Sequence, residues 1–169
     1  TGPGGFVVGA GTEIEFDPTH GTHDYRYTGG ATVESGGVVD LDSANGALGD
    51  GQLTIEQGGV VQAHNSTFDQ DVLFIADETG TASPFISGGG ADWNVSGTWS
   101  FDLTNVEPVI GDSWNIIGIG ATATYAPAFS VAGFSGSGGV WTGEANGAEY
   151  EFDENTGILQ VTAVGPGGM

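Results

Sequence analysis

Thr32-Val33-Glu34-Ser35-Gly36-Gly37-Val38-Val39-Asp40-Leu41 returns twenty-two positions later as Thr54-Ile55-Glu56-Gln57-Gly58-Gly59-Val60-Val61-Gln62-Ala63, with six of the ten residues identical. Each copy is two short apolar runs joined by Gly-Gly. Glycine reaches backbone conformations closed to other residues, so the pair lets the chain turn a corner between two strands. A period of this length is that of one coil in a stacked β-fold, where each repeat buries its apolar side against its neighbours. A looser copy, Phe85-Ile86-Ser87-Gly88-Gly89-Gly90-Ala91-Asp92-Trp93, and a partial one, Gly4-Gly5-Phe6-Val7-Val8, approach the number of coils a stacked core needs. The predicted fold is all-β. A short right-handed parallel β-helix with amino-terminal strands occupies 1–104, and an antiparallel β cap with a closing hairpin occupies 105–169, in one continuous domain.

The 169 residues suffice for one domain with a real core. Thirty-three glycines without a collagen period, beside 38% hydrophobic residues, predict a turn-rich folded chain. Twenty-two carboxylates face a single base, Arg26, giving a formal net charge of -21. That balance excludes nucleic acid as a partner, because phosphate binding needs clustered Lys and Arg. An anionic membrane surface is disfavoured by the same repulsion, and no apolar run reaches transmembrane length. Carboxylates without cationic partners call for screening by salt or bridging by divalent ions, so a saline extracellular setting fits best. There is no cysteine, hence no disulfide. The start at Thr1-Gly2-Pro3 suggests a processed amino terminus.

Further along, Ile14 and Phe16 alternate with Glu13 and Glu15, as in a half-buried strand. From Trp93, an aromatic face of Trp93, Val95, Trp99, Phe101 and Leu103 alternates with polar residues, Gly97 taking one inward slot. The repeat fades after Pro108 and Gly111. Tyr150 and Phe152, then 153–157, then Leu159, Val161 and Ala163 describe a hairpin with Glu149 and Glu151 facing water.

Phe101-Asp102-Leu103 through Pro108, Gly111-Asp112-Ser113-Trp114-Asn115-Ile116-Ile117, Phe129 to Phe134, and Thr156-Gly157-Ile158-Leu159-Gln160-Val161 resemble the terminal region of secreted bacterial β-helix proteins. These are autotransporter-like repeat surface proteins of planctomycete type. Leu53 to Ala63 and Leu73 to Gly90 resemble their upstream rungs, so the likeness spans most of 31–163. It implies export and a surface or matrix location, and no chemistry transferable to particular residues.

Asp40, Asp42 and Asn45, and the pair Asp69 and Asp71, place oxygen ligands at spacings a calcium ion could use. They do not match the Asp-x-Asp-x-Asp-Gly loop with its distant Glu, and Asp or Asn capping turns is the competing reading. No cofactor is required; Ca²⁺ or Mg²⁺ held diffusely over the acidic surface is favoured over one tight site. His20, His23 and His64 are three candidate zinc or copper ligands, read first as solvated loop residues. Trp141 is the best candidate for an exposed sugar-stacking ring, while Trp93 and Trp99 fall on the inward face. No nucleophile elbow or phosphate loop occurs, and with so many acids some carboxylate pair arises by chance, so no catalytic residue is assigned.

Strand-competent apolar residues lie beside flexible Gly-Pro-Gly-Gly at both ends: Phe6, Val7 and Val8, and Ile158, Leu159 and Val161. Open strand edges pair with other chains unless guarded. The leading expectation is a non-enzymatic, extracellular structural subunit that associates end to end with its own copies into a filament, sheath or matrix. A polysaccharide-binding or adhesion module is the alternative, followed by a β-helix glycoside hydrolase.

Overall fold

The computed structural model describes residues 4–16, 28–42, 51–64, 67–68, 70–77, 84–88, 92–118 and 122–165. The fold is all-β. Its strands, in chain order, are β1 (Phe6–Val8), β2 (Glu13–Phe16), β3 (Ala31–Val33), β4 (Val38–Asp42), β5 (Leu53–Glu56) and β6 (Val60–His64). Next come β7 (Thr67–Phe68), β8 (Val72–Ile75), β9 (Ile86–Ser87), β10 (Asp92–Val95), β11 (Thr98–Asp102) and β12 (Ser113–Asn115). The last six are β13 (Thr122–Tyr125), β14 (Ser130–Val131), β15 (Ser135–Ser137), β16 (Val140–Ala145), β17 (Ala148–Asp153) and β18 (Ile158–Val164).

Among the described residues three sheets are parallel. They run β1-β3-β5-β8-β11-β14, β2-β4-β6-β9 and β7-β10-β13. The repeat read from the sequence sets the pairing of the first two: Thr32 lies beside Thr54, and Val39 beside Val61. Parallel, in-register pairing stacks like side chain on like, so the alternation within each strand becomes columns across the sheets. Ala31, Leu53, Val72, Trp99 and Val131 form one buried column, and Val33, Ile55 and Phe74 another. From the second sheet, Val39, Val61 and Ile86 join the same core.

The corner between the runs works by close approach. Gly36 and Gly58 adopt φ of 80° and 87°, and the Gly36 N–H donates to the Gly58 carbonyl at 2.9 Å. Beside them Gly59 lies so close to the previous corner that a Cβ on it would sit 2.6 Å from the Val33 carbonyl oxygen. A second corner differs from the sequence expectation. The aromatic stretch from Trp93 is not one continuous face but two strands of different sheets, β10 and β11, because the chain turns at Gly97 with φ 88°.

Parallel pairing also runs past position 104, since β13 joins β10 and β14 joins β11. Residues between them make a detour that places β12 in a separate antiparallel sheet, β12-β18-β17-β16-β15. The expected closing hairpin is β17 and β18, with Tyr150, Phe152, Leu159 and Val161 buried. This sheet packs its aromatic face on the parallel columns. Phe152 lies 5.8 Å from Trp99, 5.7 Å from Phe101 and 6.5 Å from Tyr125, ring centre to ring centre. The turn between β16 and β17 adds a polar tie: the Asn146 side-chain amide donates to the carbonyls of Leu103 and Val106.

Tyr125 shows what this packing costs. Its hydroxyl is buried without a hydrogen-bond partner, and burial first, then the charges of Glu154 and Asp153, push its pKa far above the usual tyrosine value. The folded pKa is raised, so the associated stability is present below the unfolded value of about 10 and is lost as pH rises beyond it. Wild-type stability should therefore fall above that pH, by up to about 1.4 kcal/mol per pH unit for this group, and the melting temperature with it. Tyr125→Phe should flatten the alkaline decline and leave neutral stability unchanged or raised, since it removes only an unpartnered polar atom. Parallel melting curves of the two proteins across alkaline pH make the comparison; identical slopes would refute it.

Candidate association surface

At the amino-terminal end, the two larger parallel sheets finish together, one at β1 and the other at β2. The columns continue to this end: Val8 is fully buried, while Phe6, Ile14 and Phe16 are half-buried against the core. Phe6 and Phe16 meet at 6.1 Å, bridging the two sheets. The backbone of β1 has a definite polarity. The Phe6 N–H donates to Gly30 and the Val8 carbonyl accepts from Glu34, so alternation turns the N–H and C=O of Val7 to the outer side. The Val7 side chain is 60% exposed. Among the described residues no strand pairs with the outer edge of β1 or β2.

Charge treats these two edges differently. β1 carries neither a charge nor a proline, the usual guards of a strand edge, whereas β2 exposes Glu13 and Glu15. A second copy brought to this end would meet like charge at Glu13 and Glu15 unless salt or divalent ions screened it.

The other expected association segment is placed differently. β18 lies between β12 and β17, and over 158–161 both its edges are hydrogen-bonded; of Ile158, Leu159 and Val161 only Ile158 is exposed. One edge of this antiparallel sheet is β15, whose Ser135, Gly136 and Ser137 are all open to solvent and uncharged.

Asp40 stands in β4 between Glu15 of β2 and Gln62 of β6, with Oδ1 buried and unpartnered. Asp42 ends β4, its side chain outside the described residues, as are Asn45 and Asp69 altogether. Asp71 is exposed and its Oδ1 accepts from the Thr98 N–H at 2.9 Å, tying the neighbouring strands β8 and β11 at their starts. Among the described residues no group of three or more His, Asp or Glu is gathered as for a metal ion. His20 and His23 lie outside the described residues, and of the His64 side chain nothing is described.

Trp141 has a packing role. Its indole N–H donates to Glu154 at 2.7 Å, its ring lies over Gly136, where an added Cβ would come within 2.6 Å, and Phe129 meets it edge-on at 5.5 Å. Sequence reasoning missed the Asn146 tie and the Glu154 clasp. The Asn-Gly pair between two alternating runs signals a hairpin turn, though not what the amide reaches.

Comparison with protein-family models, curated proteins and solved structures gave no match.

Proposed function

We propose that this chain is an extracellular structural protein, a short right-handed parallel β-helix with an antiparallel carboxyl-terminal cap, which joins end to end with further copies into a surface filament, sheath or matrix. Coiling is supported by the way strands of the two larger parallel sheets alternate along the chain while sharing one core. The resemblance of its terminal segments to secreted bacterial β-helix surface proteins supports the location, as does the acidic surface, which stays hydrated in salt.

The observation that carries the association is Val7: an exposed apolar residue whose backbone N–H and C=O face outward on an uncharged edge at the end of the core. An added strand there would gain ladder hydrogen bonds and extend the apolar columns. Filaments need a second, different face, because contact of two like ends closes into a dimer. The uncharged edge of β15 is the candidate for it.

Val7→Pro tests this directly. It removes the outward N–H while leaving the hydrogen bonds to β3 intact, and proline is tolerated on an edge strand. Light scattering and electron microscopy at high protein concentration, with salt, Ca²⁺ or Mg²⁺, should reveal ordered assemblies of the wild type and their loss in Val7→Pro. Monomers of the wild type under all these conditions would refute end-to-end assembly.

A further inference from the structure

We propose that Asn146 is a deamidation site, and that its side-chain amide is the latch holding the antiparallel cap to the parallel body, so that the reaction loosens the cap irreversibly. Asn146 and Gly147 form the tight turn between β16 and β17, with φ of 49° and 74°. Glycine at the following position is what the chemistry needs, because no side chain obstructs its nitrogen. In the reaction the Gly147 backbone nitrogen attacks Asn146 Cγ. A C–N bond forms, the Cγ–Nδ2 bond breaks, and ammonia departs with the proton from Gly147. Water then opens the cyclic imide at either carbonyl, leaving aspartate or isoaspartate.

The folded turn opposes the first step. Asn146 Nδ2 is held by the carbonyl oxygens of Leu103 and Val106, the latter at 3.3 Å, and the backbone is fixed in the left-handed region. Attack therefore waits for local opening of the turn, and its rate reports that opening. The product cannot re-latch. A carboxylate has no N–H to donate, and it would confront two carbonyl oxygens. It would also add charge to a hairpin in which Glu144 already lies directly opposite Glu149. An isoaspartate further lengthens the backbone of a turn whose Gly147 carbonyl accepts from the Gly165 N–H at 2.8 Å.

The test uses the full chain in mildly alkaline buffer, folded and in denaturant, with peptide mapping by mass spectrometry at Asn146. Asn45-Gly46, the other Asn-Gly pair of the sequence, gives an internal reference rate in denaturant. Reaction at Asn146 should match that reference in the unfolded chain and be at least about tenfold slower in the folded one. Hydrogen exchange at 103–106 and 144–149 should be faster in Asn146→Asp than in wild type. Should that variant fail to fold, the deamidated fraction of aged wild-type protein, separated by charge, supplies the same comparison. Equal rates in folded and unfolded chain, or unchanged exchange in the deamidated protein, would overturn the proposal.

Discussion

Gly59→Ala is expected to destabilise the protein by about 3 kcal/mol, a loss of roughly 6–12 °C in melting temperature for a chain of this size. The added methyl would meet three carbonyl oxygens: Val33 at 2.6 Å, Glu34 at 2.9 Å and Glu56 at 3.1 Å. These are backbone atoms of this corner and the preceding one, and they cannot retreat without separating the strands they belong to. Gly58→Ala is the informative companion. There the built Cβ approaches the Ser35 hydroxyl, a side chain that can rotate, and the main cost is the positive φ, about 1–2 kcal/mol. Denaturant melts should rank Gly59→Ala below Gly58→Ala. The reverse order would mean that close stacking at the corner is not what selects glycine at position 59.

Trp99→Ala should cost about 3–5 kcal/mol, a substantial share of the stability of an ordinary domain. Trp99 is fully buried in the first sheet, and its ring touches both halves of the core. Phe74 stands 5.1 Å away on the preceding strand, Phe129 5.2 Å away near the last parallel strand, and Phe152 5.8 Å away in the cap. Truncation empties the junction of the parallel and antiparallel sheets, so near-ultraviolet circular dichroism of the aromatic cluster should collapse along with stability. Trp99→Phe should cost much less, because it keeps most of the ring volume and removes an indole N–H that is buried without a partner. A Trp99→Ala protein within about 1 kcal/mol of wild type would show that the antiparallel sheet is held independently of the parallel ones.

The clarity of the sequence signal follows the length of its corners. Between Ala31 and Leu53 the spacing of paired residues is twenty-two, and the same spacing separates Val39 from Val61, so the repeat was readable there. Elsewhere the strands keep their register while the connections change length. Val72 lies opposite Leu53 at nineteen positions, Trp99 opposite Val72 at twenty-seven, and Val131 opposite Trp99 at thirty-two. A fixed period cannot detect those strand pairs, so the parallel pairing of β13 and β14 beyond Pro108 leaves no signal in the repeat. The hairpin of β17 and β18 was legible because local alternation and a turn sequence suffice for neighbouring antiparallel strands.

The end surface was half legible. Phe6, Val7 and Val8 stood out as an apolar strand, and they do form the terminal strand β1. Ile158, Leu159 and Val161 looked equivalent on composition alone. What separates the two segments is the number of strand neighbours, and composition carries no record of that: among the described residues β18 lies between two strands, whereas β1 has one. Asn146 was hidden for a similar reason, since its partners Leu103 and Val106 lie some forty positions away.

The proposed coil and its proposed joining end both depend on stacking in register, and the absence of cysteine makes that stacking open to a direct chemical test. Thr32 and Thr54 are register partners on neighbouring parallel strands, about 4.8 Å apart, within the Cα range of about 4.4–6.8 Å that a disulfide spans. Thr32 and Leu73, two strands apart, stand about 10 Å from each other, beyond that reach. Oxidation of Thr32→Cys/Thr54→Cys should yield an intramolecular bridge in the monomer, verified by mass spectrometry, whereas Thr32→Cys/Leu73→Cys should remain as free thiols. A bridge in the second protein and none in the first would contradict the stacked arrangement.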